Sequence, residues 1–461
     1  MGRTMRRIMA LVVAAGFTCG SALPAFAQTA TLDDVLKRVE ALEQKNAAIQ
    51  QENAALKAEV MALKEGQSAQ EGKIAAVSKA TTSVVAPAVP SGNFLKTGPE
   101  VTLYGFVKAD AVFSSRDMGN TSTSTTQISA VRPNAVTNGT SPEFQASAQD
   151  TRLGLKFKAP DLDNGGKLAG QFEMDFAGGA TAGVYQPRLR LAFAQIDFDK
   201  WAVNAGQNWD IFAPLGPNTL NPGVLYHEGN LGTRHPQATL INKWGALLGG
   251  NVTTKVGVID ADDPLIEDTG MPVGAAYASY ERKILGVKST FGVGGMYGKL
   301  NLPTSGTSKD PIYATTAGMT LAFTDWLKFQ AEGFSGVGLN KFQGGPASTI
   351  ATYNAASFAT PKPISVKGGF LEMTYNPMKK LETNFGFGID DVNEDMGFYA
   401  ATDKSATTTL WSYNKTYYTN LKYSLSKDLL LGIEYQLFQT KWLDGAQASD
   451  NRVETSLIYK F

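Results

Sequence analysis

The chain has 461 residues, with 42 basic and 42 acidic side chains, and a single cysteine, Cys19. The even charge leaves no electrostatic footprint for nucleic acid, and one cysteine excludes a disulfide framework. An apolar content of 43% without long apolar runs excludes a bundle of membrane-spanning helices.

At the N-terminus, Arg3, Arg6 and Arg7 precede the apolar run Ile8 to Phe17, and Ala25-Phe26-Ala27 puts small residues at a cleavage position. This predicts a secretory signal peptide over 1–27, cut before Gln28. The run holds about ten apolar residues where a spanning helix needs ~20. Residues Gly16-Phe17-Thr18 before Cys19 lack the leucine and small-residue pattern of a lipid-attachment site. Loss of the three arginines takes the mature balance to about −3. A cysteine-free chain would then travel through a compartment where disulfides form readily. Export, 47 glycines and 46 aromatics without apolar runs fit a transmembrane barrel, in which lipid-facing and water-facing residues average out. A soluble periplasmic or secreted β-protein fits the composition as well.

Between Leu32 and Leu63 apolar residues recur at alternating steps of three and four. The a positions are Leu32, Val39, Asn46, Asn53 and Val60, and the d positions are Val35, Leu42, Ile49, Leu56 and Leu63. Such a seam, flanked by alanines and charges, predicts an oligomerising coiled coil over 28–64. At 1.5 Å per residue the rod would be about 50 Å long. Asparagine at two a positions costs stability and fixes register, which matters only if identical helices pair. Residues 65–99 turn to Ala, Ser, Thr, Val and Pro and read as a flexible linker.

From residue 100 onward the period becomes two. Leu103, Gly105, Val107, Ala109 and Ala111 share one face, opposite Tyr104, Lys108 and Asp110. Leu168, Gly170, Phe172, Met174 and Phe176 likewise oppose Gln171, Glu173 and Asp175. Leu327, Phe329 and Ala331 oppose Lys328, Gln330 and Glu332. These are strands with one oily and one charged face. The pattern gives about sixteen strands: 101–113, 150–158, 167–176, 188–198, 201–209, 236–246, 252–259, 274–283, 287–298, 312–323, 327–339, 363–375, 380–390, 411–424, 429–442 and 451–461. Short turns such as Asp199-Lys200, Thr324-Asp325 and Asn376 to Lys379 alternate with long segments such as 114–149, 210–235, 340–362 and 391–410. That rhythm is the asymmetry of an outer-membrane barrel with short inner turns and long outer loops. The fold class expected is therefore an all-β transmembrane barrel of antiparallel strands over 100–461, preceded by an α-helical coiled coil.

Trp201, Trp209, Trp244, Trp326, Trp411 and Trp442 all fall at or near strand ends, as interfacial aromatic girdles require. The final strand places Val453, Thr455, Leu457, Tyr459 and Phe461 on one face and ends on the aromatic. Leu457, Tyr459 and Phe461 resemble the terminal signal read by the barrel assembly machinery.

The segments Leu103-Tyr104-Gly105-Phe106-Val107-Lys108-Ala109-Asp110, Thr151-Arg152-Leu153-Gly154-Leu155-Lys156, Gln171-Phe172-Glu173-Met174-Asp175-Phe176, Arg188-Leu189-Arg190-Leu191-Ala192 and Gly206-Gln207-Asn208-Trp209 resemble the successive first strands of Gram-negative porins. With the heptad rod in front, the chain is similar to the DcaP-type porin family. The resemblance implies a homotrimer of sixteen-stranded barrels with a periplasmic coiled coil, passing small anionic solutes such as dicarboxylates. Asparagine at a positions departs from this, being associated with two-stranded rods.

Water-facing parity puts Arg152, Lys156, Arg188 and Arg190 inside the barrel, with Arg234 in or just after the third outer loop. Guanidinium groups stay charged and hold carboxylates through two parallel bonds, so a ladder of them would draw anions from site to site. Glu173 and Asp175, on the water-facing side, are expected to oppose them and set up a transverse field; the other reading is that lumen charges satisfy one another. The segment Asp210 to His235, rich in Pro, Gly and Asn, follows the fifth strand and is expected to fold inward as a constriction loop, rather than lie on the surface.

Enzymatic activity is not expected: the two histidines, His227 and His235, lie in that loop, and no Gly-x-Ser-x-Gly elbow is present. No cofactor or metal is expected either, since Asp260, Asp262 and Asp263, or Asp390, Asp391 and Glu394, lack a calcium-loop pattern. Three functions remain: an anion-preferring diffusion channel in the outer membrane, in contact with its lipid and lipopolysaccharide; a structural tether from a closed barrel to the cell wall through the coiled coil; and a secreted β-solenoid adhesin.

Overall fold

The computed structural model describes residues 99–116, 131, 141–178, 185–284, 286–301, 309–346, 363–392, 411–442 and 445–461. The signal segment 1–27, the heptads of 28–64 and nearly all of the 65–99 linker lie outside them.

Alternation of apolar and polar side chains makes each strand two-faced, and the strands bury their polar faces by closing on themselves. In chain order they are β1 (Glu100–Ser114), β2 (Glu143–Ser147), β3 (Arg152–Lys158), β4 (Lys167–Gly178), β5 (Gln186–Asp197), β6 (Trp201–Trp209), β7 (Arg234–Leu247), β8 (Gly250–Ile259), β9 (Val273–Ile284), β10 (Val287–Asn301), β11 (Lys309–Thr324), β12 (Leu327–Val337), β13 (Ser365–Met378), β14 (Leu381–Val392), β15 (Trp411–Ser424), β16 (Leu429–Trp442) and β17 (Gln447–Lys460). A short helix, α1 (Pro264–Glu267), sits between β8 and β9. Strands β2 and β3 both pair with β1, at Asp110↔Ser147 and at Phe106↔Arg152, so they form one barrel strand interrupted at Ala148–Thr151. The Thr151 Oγ1 atom fills the gap by accepting the Lys108 N–H at 3.1 Å. β1 also pairs antiparallel with β17, which closes a ring of sixteen strands with no free edge. Gly105 and Phe461 exchange backbone hydrogen bonds of 3.2 Å each at the seam.

All sixteen expected strands are present, and the structure extends several of them at the long-loop end. β17 begins at Gln447 and β11 at Lys309. There the outward positions turn polar, as at Gln447, Ser449 and Asn451, so hydropathy no longer marks strands whose backbone ladder continues.

Apolar residues face outward in a continuous band: Leu103, Val107, Val256, Val293, Leu371, Phe385, Leu421, Ile433 and Leu457 are all exposed. Trp201, Trp244, Trp326, Tyr423 and Tyr459 mark its short-turn edge; Trp209, Tyr297 and Tyr313 mark the long-loop edge. Two tryptophans depart from the girdle expectation. Trp411 and Trp442 are each 2% exposed and meet edge to face at 6.2 Å between ring centroids, inside the barrel mouth. A register shift between Trp411 and Tyr413 turns Trp411 inward, and the Trp442 Nε1–H donates to the Val131 carbonyl at 3.0 Å.

Candidate functional site

The segment between β6 and β7 enters the barrel. Its neck is tied by three bonds: the Asp210 N–H to the Thr233 carbonyl, the Thr233 N–H to Asp210 Oδ2, and His235 Nδ1 with Asp210 Oδ1, each 2.8 Å. From there the chain crosses to the wall made by β10 to β16. The Phe212 carbonyl accepts the Thr316 hydroxyl, and the Phe212 ring meets Phe342 edge to face at 5.4 Å. The Asn218 N–H donates to Glu372 Oε2 at 2.6 Å, and its side-chain amide to Glu382 Oε1 at 2.7 Å. The Leu220 N–H donates to Glu434 Oε2 at 2.7 Å, and Lys422 Nζ reaches the Asn218 carbonyl at 2.9 Å. Glu228 Oε2 accepts the Thr416 hydroxyl at 2.6 Å. Two wall positions have no side chain to obstruct this path: a Cβ at Gly294 would overlap the Phe212 carbonyl oxygen, and one at Gly388 the Glu228 carbonyl oxygen.

Burial gives two loop groups unusual proton affinities. Desolvation lowers His227 from 6.5 to about 4, against the opposing bond of its ring to the Gly345 carbonyl. Desolvation raises Glu228 from 4.5 to about 8, outweighing its bonds to Thr416 and the Leu225 N–H. His227 thus stays neutral near neutrality, and Glu228 holds a proton well above the usual carboxylate range.

The loop bonds to the β10 to β16 wall and leaves space on the opposite side. On the open side a cavity of about 590 Å³ lies between the loop and the β3 to β8 wall. Five cationic side chains line it, Arg152, Arg188, Arg190, Arg234 and Lys255, against the acids Asp150 and Asp210. A second cavity of about 880 Å³ extends toward the short-turn end, lined in part by Lys379, Lys380, Lys422 and Lys460. Both are bordered by Asp150, Arg152, Thr219 and Pro222.

The acidic side expected from parity is placed differently. Glu173 and Asp175 do not face the arginines across a passage; they lie beside them on the same wall. Arg188 donates to Asp175 through Nε at 3.0 Å and Nη2 at 2.7 Å. Arg190 donates to Glu173 at 2.8 Å and to Asp175 at 2.9 Å, and Arg152 Nε lies 3.5 Å from Glu173. The reason is register: Asp175 on β4 is the cross-strand partner of Arg188 on β5. Both carboxylates are buried, behind guanidinium groups that face the cavity. The carboxylates on the opposite wall are Glu332, Glu372 and Glu434, and these take backbone N–H groups of the loop.

Of the other expected residues, Arg234 stacks over the Trp209 ring at 4.9 Å beside the cavity. Lys156 lies nearer the short-turn end, over the Tyr104 ring at 5.0 Å, and is not brought to the arginines. Leu457, Tyr459 and Phe461 are exposed on the outer face. The coiled-coil positions lie outside the described residues. Asp263 accepts the Leu265 N–H at 3.0 Å as the cap of α1, and no cluster of metal-ligating side chains occurs among the described residues. Lys255, Asp150 and the carboxylates holding the loop were not singled out from sequence. The alternation Thr253, Lys255, Gly257 against Thr254, Val256, Val258 would have placed Lys255 inside.

No protein-family model matches the chain, and no curated protein matches it in sequence. Solved structures do match. The outer membrane channel DcaP of Acinetobacter baumannii is 21% identical at a TM-score of 0.62, over 79% of this chain and 98% of that one. OmpF of Salmonella typhi, in complex with daunomycin, is 12% identical at a TM-score of 0.52, over 79% of this chain and 98% of that one. At these identities the likeness shows a shared fold, the closed sixteen-stranded barrel.

Proposed function

We propose that this chain is a porin of the Gram-negative outer membrane, of the DcaP type, through which small hydrophilic solutes diffuse with a preference for anions and dicarboxylates. The observation that carries this reading is the placement of the inward loop. It engages Glu332, Glu372 and Glu434 on one wall, and leaves Arg152, Arg188, Arg190, Arg234 and Lys255 around the open space. Fixed positive groups lining a narrow water-filled path raise the local anion concentration, and several weak stations let a dianion step onward. Arg152, at the border of both cavities, would be the shared station.

The remaining assignments complete the reading. Residues 1–27 would direct export, 28–64 would form the coiled coil of a homotrimer, and 65–99 would join it to the barrel. Leu457, Tyr459 and Phe461 would present the chain to the barrel assembly machinery. Two adjoining cavities on the open side favour a channel over a closed tether.

Single-channel recording in planar bilayers tests the role of the arginines. Succinate should interrupt the chloride current of the wild type, and Arg152→Ala, Arg190→Ala and Arg234→Ala should each weaken that block. Block unchanged in all three would remove these residues from the solute path.

A further inference from the structure

The barrel strand made of β2 and β3 carries one residue too many. Residues 148–151 lie between the pairs Asp110↔Ser147 and Phe106↔Arg152, so four residues stand opposite the three of 107–109. An extra residue in one strand breaks the ladder and re-aims nearby side chains. The Thr151 N–H donates to the Ala148 carbonyl at 3.0 Å, which closes the excess into a turn. From this turn Asp150 reaches the border of both lumen cavities.

Asp150 is 5% exposed, and its Oδ2 atom accepts no hydrogen bond. Among the described residues its one ion-pair contact is Lys108 Nζ, at 3.6 Å. That ammonium is already held by Asp110 at 2.7 Å and Glu454 at 3.3 Å, so Asp150 is not needed to neutralise it. Two residues further on, the Arg152 guanidinium lies 5.1 Å from the Phe106 ring centroid, and its Nε–H has no acceptor. An unfilled acceptor and an unfilled donor thus stand where the two cavities meet, on α-carbons at most about 7 Å apart. A buried carboxylate oxygen without a donor carries a desolvation cost. A solute bearing an ammonium group removes that cost, whereas a solute bearing only carboxylates is repelled at this one point.

We propose that the junction of the two cavities is a station for an acidic α-amino acid, a dicarboxylate that also carries an ammonium group. The ammonium donates to Asp150 Oδ2, and the carboxylates meet Arg152 and the neighbouring guanidinium groups of β5. The assignment rests on the arginine-lined path proposed above and narrows its solute class.

Single-channel recording of the mature protein in planar bilayers tests it by comparing L-aspartate with L-malate, in which a hydroxyl replaces the ammonium group. On the wild type, aspartate should hold the channel blocked for longer than malate, although its net charge is smaller. Asp150→Asn should shorten the aspartate events roughly tenfold, the loss of one charge-assisted bond, and lengthen those of malate. Removal of a negative charge that makes no ammonium contact would lengthen both, and that result would overturn the station. So would a wild type that malate blocks for longer than aspartate, a comparison that does not depend on the folding of the variant. Either failure leaves block by malate, and with it the channel reading, in place. A wild type that conducts but is interrupted by neither solute would remove the solute path itself.

Discussion

Glu434 on β16 accepts the backbone N–H of Leu220 at 2.7 Å, and through this bond a carboxylate on the barrel wall fixes a loop that starts ten strands earlier in the sequence. The same side chain takes the Asn221 N–H at 3.3 Å and the Asn420 amide at 2.9 Å. Glu434→Ala removes the shared acceptor and leaves buried donors without partners, at a cost of about 1–3 kcal/mol for each. The loop should detach from the wall. Chymotrypsin should cut within 210–233 faster than in the wild type, at sites such as Tyr226 and Leu231, and conductance should rise. Cleavage at the wild-type rate would show that the other anchors suffice.

The wall glycines give a steric version of the same experiment. Gly388→Val places branched carbons where the Glu228 carbonyl and the Leu225 side chain now lie. Overpacking of this kind costs about 1–3 kcal/mol. Because the loop is held by many separate bonds, the expected outcome is local displacement with the barrel intact. Single-channel conductance should increase while the sheet signal in circular dichroism stays the same.

Asp175 holds two guanidinium groups, so its loss should separate stability from selectivity. Asp175→Ala leaves Arg188 and Arg190 short of a buried counter-charge, which costs about 3–5 kcal/mol when one partner of a buried pair is removed. Thermal unfolding of the barrel should shift down. Anion preference should rise, since two cations at the cavity are released from pairing. An unchanged or lower anion preference would mean that Asp175 does not offset the charge these arginines present to the solute.

The two buried loop groups predict how loop anchoring follows pH. Glu228 has a folded value of about 8, above its ordinary 4.5, so the stability of its protonated form is complete below about 4.5 and drains away as pH rises toward 8. His227 has a folded value of about 4, below its ordinary 6.5, so its contribution is complete above about 6.5 and is lost as pH falls toward 4. The slopes oppose each other between the two ordinary values. Anchoring should therefore weaken above about pH 6.5. Amide hydrogen exchange over 210–233 should accelerate on that side after correction for the intrinsic rate, and Glu228→Gln should weaken the acceleration. An undiminished acceleration in the variant would assign it to another group.

Sixteen strands were legible because each crossing exposes an oily face on one side and a polar one on the other, as in Leu103 to Asp110. The inward loop was legible from its length and its place after the fifth strand. What holds it was not, since Asn218 meets Glu372 and Glu382 more than 150 residues away. Parity told that Glu173 and Asp175 face the lumen, but only the pairing of Asp175 with Arg188 shows that they share the arginine wall. Trp411 was placed on the wrong side for a similar reason: one bulge reverses facing, and no residue in Trp411-Ser412-Tyr413 announces it. Simple alternation along β8 already puts Lys255 on the inner face.

In the proposed channel the loop hides the acidic wall and leaves the basic one to the passing solute. The zero-current potential of the wild-type channel across a tenfold potassium chloride gradient reads this directly. The sign should be that of a channel favouring chloride, with the preference reduced when Arg152, Arg190 and Arg234 are replaced together. A potential of the opposite sign, or one near zero that those replacements leave unmoved, would contradict it.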